Sequence, residues 1–517
     1  MSALTPLFRY VLMHATRKNG FKLVLAFMTY YIYKYRGHAL GTNRRSDLKQ
    51  PKGAVPLLGH MPLISSVPPT QLYQFFLKLH VELGPVWSLS LPGVRMVQID
   101  TPENIEHVHK VNFWNYEKGP IFKDVMGILF GDGIFSADGH EWRFQRKLAS
   151  NIFSVRAFRE YTSDVFVVEG KKVLEHLGRA ADQGTPIDFH DLMHRFTLDS
   201  FGTISFGESF GCLDDLGVEV PFAFAFDDLL QIVTKRLIDP LWKIRERVTS
   251  TGKRAKEHQE YMYKHALKFI QKRREEGHRR QNRDLLQLCM EAKDENGQPI
   301  SDDYIVDIFL NFTLAGRDTT AQALAWMFYL LHRDGTDKTI AKGLAAEADD
   351  VLGGQDPTYE TYKRQKFAEA CFHESLRLFP AAPRNQRMCV KDDVLPDGTK
   401  IYKGERVTWS SYVMGRSERI WGPDALEYKP SRWINAEKPS QAKFNAFHVG
   451  PRVCLGQQFA TVQALTLIGM LFQNFEFELV DPTKEPAYST SLSFPMLEGL
   501  PVRVFRRSQP RTQAATV

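Results

Sequence analysis

Ten residues, Phe447-His448-Val449-Gly450-Pro451-Arg452-Val453-Cys454-Leu455-Gly456, place one cysteine between two glycines, with an arginine two positions before it and a phenylalanine seven before. A thiolate is a soft ligand that suits heme iron, and as an axial donor it pushes electron density toward bound oxygen. Gly450 and Gly456 allow a tight turn and a close approach to a flat macrocycle, where a Cβ would collide. Arg452 offers a fixed positive fork to a heme carboxylate. A lone cysteine is more often a small buried hydrophobe. Five fixed residue types in ten positions, however, arise by chance only about once in a few million starts at ordinary composition.

A second stretch capable of chemistry is Ala315-Gly316-Arg317-Asp318-Thr319-Thr320. It lies inside a helical pattern that opens at Ser301 with acidic first-turn residues Asp302 and Asp303 and runs to about Arg333, roughly 50 Å. Glycine and threonine are poor mid-helix residues, and such local inconsistency marks function. Gly316 removes a side chain where a flat ligand and dioxygen would approach. The threonine hydroxyls can bond back to the preceding turn and leave room for water. An acid beside a hydroxyl, Asp318 with Thr319, can relay protons to oxygen without flooding the site.

The first stretch matches F-x-x-G-x-R-x-C-x-G, and here the chain resembles the heme-thiolate monooxygenases, the P-450 cytochromes. The resemblance extends over roughly residues 50 to 507. It implies a mainly helical P-450 fold, a large helical body with a small β region, holding heme b with its iron ligated by the Cys454 thiolate. Asp318 and Thr319 match the family's acid and alcohol pair as catalytic residues. Trp142 and Arg146, one helical turn apart, match the pair that grips a heme propionate, and Arg384 stands where related enzymes place a second propionate arginine. Phe447, Gly450, Arg452, Gly456, Ala460 and Gly316 complete the expected cofactor contacts. Glu374 and Arg377, followed by Arg432 in Pro430-Ser431-Arg432-Trp433, resemble the buried Glu-Arg-Arg set that holds the region behind the heme loop, a structural role. One branch of fatty-acid hydroxylases has a glutamate where this chain has Ala315 and links it to heme, so the cofactor here is expected to be non-covalent.

Other elements must position these residues. Val86 to Ile99 alternates around Pro92-Gly93 and reads as a hairpin. Gly119 to Gly139, with five glycines, reads as a loop with a short helix, and the resemblance implies that it lies over the heme and helps line the substrate pocket. Asp188 to Phe206 reads as an amphipathic helix, and its text Arg195-Phe196-Thr197-Leu198-Asp199-Ser200 resembles the fatty-acid and alkane ω-hydroxylase branch. Pro221 to Leu237 is a further helix closed by Pro240, and one long charged helix follows to about Gly277. The resemblance makes this pair the substrate lid. Small strands are expected at Val394 to Ile401 and Arg406 to Ser411, and a helix from Gly456 to Phe472. Arg143 and Lys147 are candidates for a basic docking patch.

The chain has 517 residues, 43% of them apolar, and a formal charge of +7. Its basic residues are spread out, without the basic-plus-aromatic clustering of nucleic-acid binding. Five scattered cysteines, Cys212, Cys289, Cys371, Cys389 and Cys454, fit neither a disulfide framework nor a zinc site and point to a reducing compartment. Leu23 to Tyr33 is an apolar run of eleven residues, short for a straight span. Its tyrosine-rich end suits an interfacial or spanning anchor better than a cleaved signal. The basic cluster Lys34, Arg36, Arg44, Arg45 and Lys49 places the rest of the chain on the cytosolic side.

The expectations are an anchor and basic linker over 1–50, a catalytic domain over 51–508 and a polar tail over 509–517. The protein is expected in the endoplasmic reticulum membrane, facing the cytosol. A NADPH-dependent flavoprotein reductase supplies electrons, and the substrate is a lipid, a medium- or long-chain fatty acid hydroxylated at or near its ω carbon. A sterol, an alkane or another specialised lipid remains an alternative. So do an isomerase or lyase of fatty hydroperoxides and, more remotely, a non-catalytic heme sensor.

Overall fold

A 31-residue helix, Asp302–His332, carries 24 buried residues, so nearly its whole circumference is packed. A helix apolar all round belongs in the middle of a helical body, and the other long helices are arranged about it. The computed structural model describes residues 17–150, 162–237, 239, 241–276, 284–294 and 297–507. The expectations for Pro240, Gly277 and the tail from 509 fall outside the described residues.

Helices of eleven residues or more, in chain order, are α1 (Arg17–Lys34), α2 (Leu72–Leu83), α3 (Pro120–Phe130), α4 (Gly139–Ser150), α5 (Ser163–Gln183), α6 (Phe189–Phe206), α7 (Pro221–Arg236), α8 (Thr251–Glu276), α9 (Asp302–His332), α10 (Thr339–Leu352), α11 (Lys366–Leu378) and α12 (Gln457–Asn474). The strands are β1 (Val86–Leu91), β2 (Val94–Ile99), β3 (Tyr116–Glu117), β4 (Ile187–Asp188), β5 (Asn385–Cys389), β6 (Asp393–Val394), β7 (Lys400–Ile401), β8 (Arg406–Trp409), β9 (Phe475–Leu479) and β10 (Pro501–Arg506). The fold is therefore mainly helical with a small β component, as the sequence led us to expect.

The chain forms two units, residues 1–104 with 386–409, and 105–385 with 410–517. In the first, β1 and β2 make the expected hairpin, paired from Val86↔Ile99 to Leu91↔Val94, and β2 runs parallel to β8. The turn at Gly93 has φ +79°, a conformation that glycine supplies cheaply. Arg45 was counted among the basic residues flanking the anchor. It is instead buried, donating to Asp47 at 2.9 and 2.8 Å and to Glu405 at 2.6 Å, and adds nothing to a surface cluster. Among the described residues no helix is long and apolar enough to cross a membrane, α1 included.

In the second unit α6, α8, α11 and α12 pack around α9. Phe206 stacks on Phe309 with ring centroids 3.9 Å apart, and Phe189 on Phe328 at 3.8 Å. Ser301 caps α9 as expected, accepting the Tyr304 amide at 3.2 Å. A sheet of β4, β10 and β9, in that order, closes against α6 through Phe189, whose amide donates to Leu500 O at 2.9 Å.

Three expectations change. The stretch between Gly119 and Gly139 is mostly helix, because Pro120 at the first turn pre-sets α3 and only 131–138 remains loop. α6 is buried on nearly every face rather than amphipathic, and its polar groups are satisfied inside. Asp199 accepts the Cys212 and Leu213 amides at 3.0 and 2.8 Å, and Gln322 bridges His190 and His194 at 3.1 Å each. The single charged helix after α7 is two, Trp242–Val248 and α8, with a corner so tight that a Cβ on Gly252 would lie 2.5 Å from Glu246 O.

Candidate active site

Cys454 sits one residue before the segment that caps α12, two positions ahead of its N-cap Gly456. Its amide donates to Phe447 O at 2.8 Å, closing the loop, and a short 3₁₀ turn, Gly450–Arg452, lies inside it. Of the two framing glycines only Gly450 is conformationally obligatory. Its φ is +67°, and a Cβ there would come within 2.1 Å of His109 O. Gly456 has φ −86°, which any residue adopts. The clearance at Gly450 therefore serves the docking of the loop on the 107–111 turn, a different cause from the one the sequence suggested.

The Cys454 residue is accessible, yet its surroundings desolvate the thiol and raise its pKa, the pattern of a thiol in the wall of an internal site. Two groups oppose the rise, the Gly456 amide at the start of α12 and the charge of Arg146. Both favour the thiolate, as helix N-termini and nearby cations do.

Trp142 on α4 is buried with Phe113 and Ala137. It lies under two guanidinium groups, Arg452 at 4.6 Å and Arg146 at 5.8 Å from its ring centre. Arg452 donates to Ala137 O at 2.9 Å and to Asp138 at 2.7 Å, but its buried Nε has no partner. Burial lowers the Arg452 pKa to about 10. Arg146 forms no ion pair among the described residues, and burial also lowers its pKa, countered by Cys454. Asp138 bonds to Arg452 and Glu117 also acts on it, so the desolvated charge left without a carboxylate among the described residues is that of Arg146. An anionic carboxylate of a heme fits that deficit, and a soft thiolate fits its iron, so these residues suit the group. Arg384, half-buried after Pro383, and Ala460, half-buried in the first turn of α12, belong to the same unit.

On α9, residues 311–314, 316–318 and 320–331 are buried, whereas Ala315 and Thr319 are partly accessible. They lie four apart, on one face. Thr319 Oγ1 donates to Ala315 O at 2.7 Å, leaving its lone pairs free to accept from a water. Asp318 points elsewhere. It is buried between Arg317, which donates at 3.1 Å, and Ser493 Oγ, which donates at 3.4 Å. Desolvation raises its pKa to about 6, with Arg317 working against the rise. No hydrogen bond joins Asp318 to Thr319 among the described residues. Gly316 faces Phe201 of α6, and a Cβ there would lie only 2.0 Å from that ring, so it permits the close approach of α6 and α9. This corrects the reading of Gly316 as clearance for a ligand.

Arg317, which sequence reasoning passed over, connects Asp318 to the half-exposed Asp227 of α7. Burial opposes its charge, but Asp227 and then Asp318 outweigh that and raise its pKa. An arginine inside an otherwise apolar helical run was the available signal.

Behind the loop, Glu374 is fully buried and accepts Arg377 Nε and Nη2, both at 2.8 Å. It also accepts the Lys429 amide at 2.9 Å and Trp433 Nε1 at 2.8 Å. Arg432 Nε stands 3.5 Å away, an electrostatic contact rather than a hydrogen bond, while its other nitrogens donate to Trp421 O and Asp424 O at 3.1 Å. The sequence-predicted trio is thus brought together, and Trp433, beside Arg432 in sequence, joins it.

A mainly helical body with a lone accessible thiol at a helix N-terminus, two desolvated arginines beside it and a polar break in its central helix fits a heme-thiolate protein. The Cytochrome P450 family model matches residues 49–500, and the chain belongs to that family. It is 34% identical over 504 residues to cytochrome P450 monooxygenase cyp1 of Mycosarcoma maydis, covering 92% of this chain and 78% of that one. It is 35% identical to cytochrome P450 86B1 of Arabidopsis thaliana, covering 79% and 76%. With cytochrome P450 704C1 of Pinus taeda the identity is 36%, covering 80% and 86%. The protein is an oxidoreductase of the monooxygenase type, and its family uses heme b with a cysteine thiolate on iron.

Proposed function

We propose that this cytochrome P450 hydroxylates a medium- or long-chain fatty acid at or near its ω carbon, drawing electrons from a NADPH-dependent flavoprotein reductase. The observation that carries the reaction type is the accessible Cys454 thiol at the start of α12, in a body whose buried central helix is partly accessible at Ala315 and Thr319. The substrate reading rests on the Arg195–Ser200 text and on apolar surroundings, in which half-buried Ile134, Phe135, Leu455 and Leu492 join the large core cluster.

Heme, when bound, supplies the iron at which oxygen is reduced and a C–H bond oxidised. The chain's part is placement and protons. Cys454 holds the iron as thiolate, favoured by the Gly456 amide and Arg146. Trp142, Arg146, Arg452 and Arg384 hold the carboxylates, and Phe447, Gly450 and Ala460 shape the loop and helix turn around the ligand. Thr319 Oγ1 holds a water as acceptor. Asp318, its pKa raised to about 6 by burial, is poised to give or take a proton near neutral pH, and the Arg317–Asp227 pair sets the charge beside it. Glu374, Arg377 and Arg432 keep the loop's support rigid. A groove of about 760 Å³ lined by Phe447, Val453 and Leu455, and by no residue of α9, gives an electron-donating protein access to the thiolate side.

Residues 1–50 serve as anchor and basic linker to the endoplasmic reticulum membrane, 51–508 as the catalytic domain facing the cytosol, and 509–517 as a polar tail. The test is incubation of the membrane-bound protein and reductase with a chain-length series of fatty acids, locating the hydroxyl by mass spectrometry. Terminal or near-terminal hydroxylation dependent on NADPH and oxygen is expected. Product from a fatty hydroperoxide without NADPH refutes the monooxygenase reading, and scattered or absent oxidation refutes the ω-hydroxylase one.

A further inference from the structure

The loop 131–135 between α3 and α4 is fastened to α9 by two side chains that the mechanism above does not use. Asp307 Oδ2 accepts the Asp132 amide at 2.8 Å. Asn311 is fully buried and spends every polar atom on the clasp. Its Oδ1 accepts the Phe135 amide at 3.1 Å, and its Nδ2 donates to Phe130 O at 2.8 Å and Asp307 O at 2.7 Å. Gln145 of α4 adds a bond to Asp132 O at 2.7 Å.

The loop's two glycines are cut to these side chains. A Cβ at Gly131, whose φ is +51°, would lie 2.0 Å from the Asp307 carboxylate, and one at Gly133 would lie 2.0 Å from Asn311 Nδ2. Immediately beyond, Ala137 O accepts from Arg452, so the segment is tied at its far end to the cysteine loop.

Asp307, Asn311, Ala315 and Thr319 are spaced by four and form one ridge of α9. Asn311 is about 6 Å along the axis from Ala315 and about 12 Å from Thr319. The half-buried Ile134 and Phe135, with Phe135 held at its own amide, are therefore fixed beside Asn311, one step along this ridge from the partly accessible Ala315 and two from Thr319.

We propose that Asp307 and Asn311 are positioning residues: by clasping loop 131–135 they fix Ile134 and Phe135 as the wall that decides which carbon of the substrate chain reaches the Thr319 face. This rests on the lipid-hydroxylation reading. A wall that must reject weaker internal C–H bonds has to be rigid, and side-chain bonds to two loop amides, with no room for a Cβ, supply that rigidity.

The test compares wild type with Asp307→Ala, Asn311→Leu, Gly131→Ala and the conservative Asp307→Asn, all as heme-loaded protein. Three readouts are taken: the Soret band of the reduced carbonyl complex, amide hydrogen exchange at Asp132 and Phe135, and the hydroxyl position on a fatty-acid series. Asp307→Ala and Asn311→Leu are expected to keep the thiolate band, speed exchange at those amides about tenfold or more, and spread hydroxylation over neighbouring carbons. Gly131→Ala should give the same spread, and Asp307→Asn, which keeps an acceptor oxygen, should restore wild-type position. Should Asn311→Leu fail to fold, Asp307→Ala and Gly131→Ala decide the matter. Unchanged exchange overturns the clasp, and faster exchange with unchanged product position overturns its positioning role. If wild type oxidises no fatty acid, the substrate reading fails and the positional claim with it, while exchange still decides whether the clasp exists.

Discussion

Replacing Glu374 by alanine should release the heme loop's support by an amount the contacts allow us to work out. The carboxylate is inaccessible to solvent and takes four hydrogen bonds, two of them from an Arg377 that is equally inaccessible. Removing one partner of a buried ion pair costs about 3–5 kcal/mol, because the other charge stays behind unpaired. At about 1.4 kcal/mol per tenfold, that is roughly two to three and a half orders of magnitude in the folded-to-unfolded ratio. Domains are stable by only about 5–15 kcal/mol, so the loss is a large fraction of the total. Arg432→Ala should cost less, about 1–2 kcal/mol, since its Nε stands 3.5 Å from Glu374 and its remaining contacts, two carbonyls and the Asp424 carboxylate at 2.8 Å, leave a partner that water and Lys429 can still reach. The assay is urea titration of the heme-loaded protein, followed by the Soret band of the reduced carbonyl complex. The expected order of loss is Glu374→Ala and Arg377→Ala together, then Arg432→Ala. An Arg432→Ala loss equal to that of Arg377→Ala, or a Glu374→Ala protein with the wild-type midpoint, refutes the reasoning.

Gly316→Ala should destabilise by about 1–3 kcal/mol through overpacking against Phe201, and Phe201→Leu should recover part of it, as a double-mutant cycle in urea would show. Asp227→Asn leaves Arg317 to Asp318 alone. The carboxyl of Asp318 should then ionise more readily and pass protons less well, lowering product formed per NADPH consumed while the thiolate Soret band is unchanged. Desolvation raises the Asp307 pKa to about 6, so its favourable contribution is complete below the unfolded value and is lost as pH rises through about 6. Wild type should therefore lose about 1–2 kcal/mol relative to Asp307→Asn between pH 4 and pH 7, the carboxyl being only half-buried, and denaturation at the two pH values checks the sign.

The sequence disclosed whatever one residue can carry by itself. Cys454 advertises its loop, Ser301 with Asp302 and Asp303 starts α9, and Pro92-Gly93 turns a hairpin, each through local chemistry. The features it hid depend on distant partners. The use of Gly316 is set by Phe201, that of Gly450 by His109 O, and the direction of Asp318 by Arg317 and Ser493, none of which spacing along the chain reveals. α6 looked amphipathic because Asp199, His190 and His194 are polar, and only the fold shows that their partners are also inside. The β9–β10 sheet escaped notice for a related reason, since its pairing joins residues more than twenty positions apart.

Of the five thiols, Cys212, Cys289, Cys371 and Cys389 are sealed in the interior and Cys454 alone is accessible. Burial pushes up the pKa of Cys212, Cys289 and Cys371, which makes them poor nucleophiles as well as unreachable ones. A maleimide should accordingly consume one equivalent per folded chain stripped of heme and none where iron already holds the sulfur. The residue that defines the enzyme thus doubles as a counter, reporting by simple titration what fraction of any preparation is competent.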